Sequence, residues 1–186
     1  MIIIGITGTL GAGKGTIVDF LVKDYGFTHF SVRGFLSEEL EKMGLPPNRD
    51  NLVMMGNKVR SEHGPSFIAE KLYERAKASG KNCIIESIRT TGEARSLQKA
   101  GDFFLLSVDA DQRLRYERII QRASTTDQVS FEEFCANESR EMESTDPNKQ
   151  NLTACMQMAH FRLLNNGSYE DLFHQIEKIM YVINNK

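Results

Sequence analysis

Three kinds of side chain in this sequence have the spacing that phosphate chemistry needs: a lysine behind a run of glycines, a carboxylate, and several arginines. The lysine is Lys14, in Gly8-Thr9-Leu10-Gly11-Ala12-Gly13-Lys14-Gly15-Thr16. Glycines let a tight loop aim several backbone N–H groups at one anion and let that anion come close. A helix that starts directly after the loop adds its own free N–H groups and the positive end of its dipole. Lys14 then reaches the outer phosphates of a nucleoside triphosphate. The bland alternative is a glycine-rich turn with no ligand, and the agreement of loop, lysine and flanking pattern weighs against it. A dinucleotide fingerprint, Gly-x-Gly-x-x-Gly, does not fit these glycines.

The carboxylate is Glu86, in Glu86-Ser87-Ile88-Arg89. At a strand end near the phosphates it can hold Mg²⁺, usually through water, while Arg89 offers a planar fork to a second anion. Alone, the two read better as a strand-end acid beside a surface arginine; the phosphate loop in the same chain turns the balance to function. Arg118 and Arg122 are four residues apart, with Arg115 three before Arg118. Like charges so spaced repel by about 0.2–0.5 kcal/mol per pair, and an anion between them removes that cost. If Tyr116, Ile119, Ile120 and Ala123 form the buried stripe, the arginines fall on the open face. Arg113 and Arg115 then read as solvated, and Arg118 and Arg122 as part of a lid over residues 118–142. An arginine at a transferring phosphoryl group is worth on the order of 10³–10⁵ in rate, and closure keeps water from the reaction. Arg140 either joins the lid or pairs with Glu138 or Glu141. Arg33, Arg49 and Arg60 fall in residues 32–80, where an acceptor would bind, Arg60 and Arg33 ahead of Arg49. His63 reads as a helix-terminal histidine rather than a base.

The elements that must position these groups alternate. Ile2 to Ile6 form a buried strand, followed after the glycine loop by a helix carrying Ile17, Val18, Phe20, Leu21 and Val22. Phe27 to Ser31 make a second strand, Cys83 to Glu86 a third, Phe103 to Asp109 a fourth and Phe161 to Leu164 a fifth. Helices are expected over Arg33 to Met43, from the Asn48–Asp50 caps to Glu62, and from Phe67 to Gly80. Further helices follow Thr90, Asp111, Ser130 and Ser168, two of them opened by capping-box pairs (Thr90 with Glu93, Ser130 with Glu133) and the last capped by Ser168 with Asp171. Ser124 to Gln128 is a polar break and Glu143 to Asn151 a loop. This alternation implies a parallel sheet with helices on both faces, whose ligands bind beyond the carboxyl ends of the strands. The candidate residues lie at or just after such ends.

The whole chain, 186 residues with a formal net charge of −2, suits one domain and gives no electrostatic reason for a nucleic-acid partner. Cys83, Cys135 and Cys155 have no Cys-x-x-Cys spacing and suit a reducing compartment, and the four histidines show no ligand spacing. The N-terminal apolar run is too short for a signal peptide and no stretch is long enough to span a membrane, so a cytoplasmic protein is expected.

The Gly-Lys-Gly-Thr ending of the loop resembles adenylate kinases. With Gly5 to Gly8, Arg60 to Pro65, Glu86 to Arg89, Arg118 to Arg122 and Asn165 to Ser168, the pattern is similar to the P-loop nucleoside monophosphate kinase superfamily. The likeness is greatest to archaeal adenylate-kinase-like and dephospho-CoA-kinase-like proteins. It implies a five-stranded parallel sheet in the order 2-3-1-4-5 with a small lid. It also implies that Gly11, Ala12, Gly13, Lys14, Gly15 and Thr16 hold ATP phosphates, with Asn166 and Gly167 near the donor base. Thr16 and Glu86 take the Mg²⁺ side, Arg33, Arg60 and Arg89 the acceptor, and Lys14, Arg89, Arg118 and Arg122 the catalytic positions. The chain departs from the pattern in three places. The Thr-Gly-Asp usual after the second strand is replaced by Ser31-Val32-Arg33, Glu86 stands for the commoner aspartate, and Ile88 stands where proline is usual.

The expected activity is transfer of a phosphoryl group from ATP, with Mg²⁺, to a nucleoside or deoxynucleoside monophosphate, by a monomer or homodimer with no nucleic-acid or membrane partner. Two alternatives stay open: a dephospho-CoA kinase and a non-catalytic nucleotide-binding switch. A GTPase switch lacks both Asn-Lys-x-Asp and Asp-x-x-Gly.

Overall fold

A computed structural model describes residues 1–122 and 129–185. Its sheet has five parallel strands in the order β2-β3-β1-β4-β5, as the resemblance implies. The strands are β1 (Ile3–Gly8), β2 (Thr28–Ser31), β3 (Cys83–Glu86), β4 (Phe103–Asp109) and β5 (Phe161–Leu164). The central strand β1 is buried along its length because it pairs on both sides, Ile3 with Cys83 on β3 and with Phe103 on β4.

Side chains alternate across the sheet, and each face has its own core. Ile3, Cys83, Ile85, Phe103 and Leu105 pack with α2 (Val32–Lys42), α3 (Arg49–His63), α4 (Phe67–Ser79) and α5 (Thr91–Gln98). Ile4, Ile6, Ile84, Leu106, Val108 and Leu163 pack with α1 (Lys14–Tyr25) and α9 (Tyr169–Asn184). Burial on both faces is why the strands read as nearly unbroken apolar runs.

The remaining helices are α6 (Gln112–Gln121), α7 (Phe131–Met142) and α8 (Leu152–Gln157). The expected capping box is complete at Thr90–Glu93, the expected Ser168 cap also forms a full box with Asp171, and at Ser130 the side chain accepts the Glu133 N–H. Two expectations need correction. α8 lies between the expected loop and the fifth strand, where no element was expected; six residues are too few to show a helical period, and it is held by burial of Leu152 and Cys155 and by the Asn151 cap. The buried side of α6 is formed by Arg115 and Ile119, while Ile120 is exposed, so Arg115 is not on a solvated face. Ala123, the break at 124–128 and that part of the expected lid lie outside the described residues. Among the described residues no helix is long and apolar enough to cross a membrane.

Candidate active site

A cavity of about 470 Å³ opens at the carboxyl ends of β1, β2 and β3. Leu10, Gly11, Gly13, Lys14 and Gly15 line it from the loop after β1. That loop needs its glycines. Gly13 has φ of 104°, and a Cβ there would sit 2.4 Å from Asn165 Nδ2; Gly11 has φ of 79°, and its Cβ would meet the Arg115 carbonyl at 2.5 Å. Helix α1 starts at Lys14 with Gly13 as its N-cap and no side-chain cap, so an anion can take the first-turn N–H groups.

The Lys14 ammonium donates to the carbonyls of Gly8 and Thr9, each at 2.8 Å. Removal from water, reinforced by the charges of Arg89 and Arg122, lowers its pKa to about 7 against the pull of Glu86 and Glu141. An incoming phosphate would restore its charge.

Glu86, at the end of β3, meets His29 Nε2 at 3.1 Å. Burial opposes its ionisation, but the His29 hydrogen bond and the charges of His29, Lys14 and Arg89 outweigh that and hold the carboxyl below its ordinary range. Ser87 then takes φ of 71°, a left-handed conformation that costs a side-chain-bearing residue about 1–3 kcal/mol. The N–H groups of Ser87 and Ile88 both donate to the Ile6 carbonyl, which ties this turn to β1 and directs the chain on to Arg89.

The arginines divide. Arg33, Arg49, Arg60, Arg89 and Arg122 all line the cavity. Arg60, however, is 3% exposed, and its Nε and Nη2 donate to Glu93 Oε1 at 3.2 and 3.1 Å. Glu93 Oε2 in turn accepts the N–H groups of Arg89 and Thr90. Arg60 is thus part of the frame that fixes the start of α5, and less a free clamp than its place in the sequence implies. Arg49 and Arg89 instead share one carboxylate: Glu141 accepts from Arg49 Nη2 at 2.7 Å and from Arg89 Nη1 at 2.8 Å. Gln150 Oε1 also accepts from Arg89.

Arg118 is half-buried outside this lining, its Nη1 buried with no hydrogen-bond partner among the described residues. Arg122 caps α6 and reaches the cavity. Arg140 donates to Asn137 and the Ala136 carbonyl, so its expected pairing with Glu138 or Glu141 does not form. Thr16 is half-buried in the first turn of α1, next to Gly15, and Ala12 is fully buried. Asn166 accepts the Asp111 N–H and, like Gly167, is exposed. It is the neighbouring Asn165, buried, that reaches the phosphate loop by donating to the Ala12 carbonyl at 2.9 Å. Among the described residues no three His, Cys, Asp or Glu side chains form a metal cluster. Glu86 on the cavity lining and the Thr16 hydroxyl are oxygen donors of the type Mg²⁺ takes.

Sequence reasoning gave no role in the site to His29, Arg115, Glu138, Glu141, Gln150 or Asn165. Arg115 is the least expected. It donates to the Ala110 carbonyl, to the Leu10 carbonyl of the phosphate loop and to Glu138, and lies over the Phe134 ring. The only trace in the sequence was its spacing four before Ile119. All three cysteines are free, and burial pushes the Cys155 thiol up to about 12, which keeps it protonated.

Sheet order and phosphate loop together define a P-loop kinase-like fold. Residues 7–135 match a family model described as an AAA domain, and the chain belongs to that family. Its relatives include a UPF0200 protein of Methanocaldococcus jannaschii, 28% identical over 100% of this chain and 92% of its own length. Another is a UPF0200 protein of Pyrobaculum aerophilum, 26% identical over 96% of each chain. Among solved structures, a Thermus thermophilus protein superposes with a TM-score of 0.63 at 21% identity, covering 97% of this chain and 96% of that one. A shikimate kinase from Bacteroides thetaiotaomicron (TM-score 0.61, 10% identity, 98% of each chain) and a gluconokinase from Sinorhizobium meliloti (TM-score 0.61, 11% identity, 99% of this chain and 94% of that one) share the fold.

Proposed function

We propose that this protein transfers the γ-phosphoryl group of ATP to a nucleoside or deoxynucleoside monophosphate. The supporting observation is the single cavity in which the phosphate loop and Lys14 share their lining with Arg33, Arg49 and Arg89. Such transfer is mainly a matter of positioning and charge stabilisation, which is what this lining supplies. The loop N–H groups and Lys14 hold the donor phosphates. Arg33, Arg49 and Arg89 orient the acceptor's phosphate, and Val32, Leu36, Leu52 and Val53 offer an apolar wall to its base. The acceptor's phosphate oxygen is already ionised at neutral pH; it bonds to the γ-phosphorus as the bond to the β,γ-bridging oxygen breaks, and ADP leaves. Mg²⁺, on the Glu86 and Thr16 side, would neutralise charge on the phosphates. Arg122, on the cavity lining, and α7 help to screen the reaction from water.

A second reading has a specific support. Glu86 lines the cavity and bonds His29, so its carboxylate is the group available to take a proton from a hydroxyl acceptor, such as dephospho-CoA, shikimate or gluconate. ADP formation from Mg-ATP, measured across nucleoside monophosphates, their deoxy forms, dephospho-CoA, shikimate and gluconate, separates the readings. Strong stimulation by a monophosphate is expected. Stimulation only by a hydroxyl acceptor would transfer the assignment to the second reading, and ATP binding with no stimulation would point to a nucleotide-binding switch.

A further inference from the structure

The contact between Glu141 and two arginines is unusual for its place in the fold. Glu141 lies in the last turn of α7, where the helix dipole disfavours a carboxylate. It is 15% exposed and lines the cavity. Its two oxygens are divided between two guanidiniums from separate parts of the chain, Oε1 to Arg49 on α3 and Oε2 to Arg89 after β3. A carboxylate that bridges two arginines on a cavity wall takes the contacts a bound phosphate would take. One turn earlier on the same helix, Glu138 binds Arg115, which is itself bonded to the phosphate loop. Through these two acids α7 engages both the donor side and the arginine wall.

Resting on the phosphotransferase reading above, we infer that Glu141 is an internal occupant of the acceptor's anion seat and so a specificity-determining residue. A phosphate dianion displaces it from Arg49 and Arg89; a monocarboxylate does not. The reason is competition. A tethered carboxylate acts at an effective concentration on the order of millimolar or above. A free monocarboxylate offers the same two oxygens without the tether, so it gains nothing by exchange. A phosphate monoester brings nearly two charges at neutral pH and three terminal oxygens, enough to engage both guanidiniums at once. Glu141 thus acts against the wrong anions as much as Arg49 and Arg89 act for the right one.

The test is binding of inorganic phosphate and of acetate, by titration calorimetry near neutral pH, to the full chain carrying Glu141, E141Q, or E141Q with Arg49→Met. Expected is phosphate binding about tenfold tighter or more in E141Q, acetate binding that becomes measurable there, and loss of both gains when Arg49 is also replaced. Unchanged or weaker phosphate binding in E141Q overturns the inference, as does a gain that survives loss of Arg49, because that would place the anion elsewhere. If circular dichroism shows E141Q unfolded, Glu141→Asp takes its place, with a smaller gain expected and the same result overturning it. The readout needs no turnover, so a chain that transfers no phosphoryl group still answers, and the two proposals fail separately.

Discussion

Lys14 shows how the residue proposed to hold the donor phosphates can be costly to the fold. Its pKa in the folded protein is about 7, against 10.5 for an ordinary lysine. Between those values the unfolded chain binds the extra proton, so stability rises with pH across that window and the penalty is present in full below about 7. Urea midpoints of Lys14→Met against the wild-type chain should therefore converge or cross as pH climbs from 6 toward 10. A difference that stays constant over this range would mean the buried charge is not penalised. Arg60 and Glu93 form the opposite case, a buried pair already satisfied. Arg60→Met leaves the buried Glu93 charge with only its two backbone N–H bonds and is expected to cost about 3–5 kcal/mol in urea unfolding; a loss under 1 kcal/mol would show that the pair does not frame the α5 start. The basic residue types of the site were legible in the sequence. Their assignments were not, because whether an arginine faces a ligand or a carboxylate depends on partners such as Glu93 and Glu141, distant in sequence from Arg60 and Arg49.

At the scale of elements, the strand–loop–helix at the N-terminus contrasts two glycines that look alike in sequence. Gly13 has positive φ and no room for a Cβ, whereas Gly15 has no neighbouring atom within 4 Å of a Cβ. Gly13→Ala is expected to destabilise the loop and abolish nucleotide binding. Gly15→Ala, in the first turn of α1, is expected to be neutral or stabilising by up to about 1 kcal/mol, since alanine loses less backbone entropy there. Thermal melts of the two variants decide it, and equal losses would contradict the contrast. Strands and caps were legible because their signals are local: apolar runs for β3, β4 and β5, and Ser or Thr three residues before an acid for α5 and α9. α8 was not, being only six residues long, and α6 was misread because its buried stripe includes an arginine whose head finds carbonyls and Glu138.

At the scale of the molecule, the parallel order β2-β3-β1-β4-β5 sets the phosphate loop after β1 beside the Glu86–Arg89 turn after β3. The α2 and α3 arginines stand on the same cavity, and α7 reaches it from the other side of the chain through Glu141. That convergence is what supports the proposal of phosphoryl transfer. Its most direct test follows phosphorus itself: ³¹P NMR of Mg-ATP mixed with a nucleoside monophosphate and the full chain. Expected is loss of the γ-phosphate signal of ATP matched by growth of a new diphosphate on the acceptor. ATP that stays intact, or loses its γ-phosphate only to inorganic phosphate, would contradict the assignment.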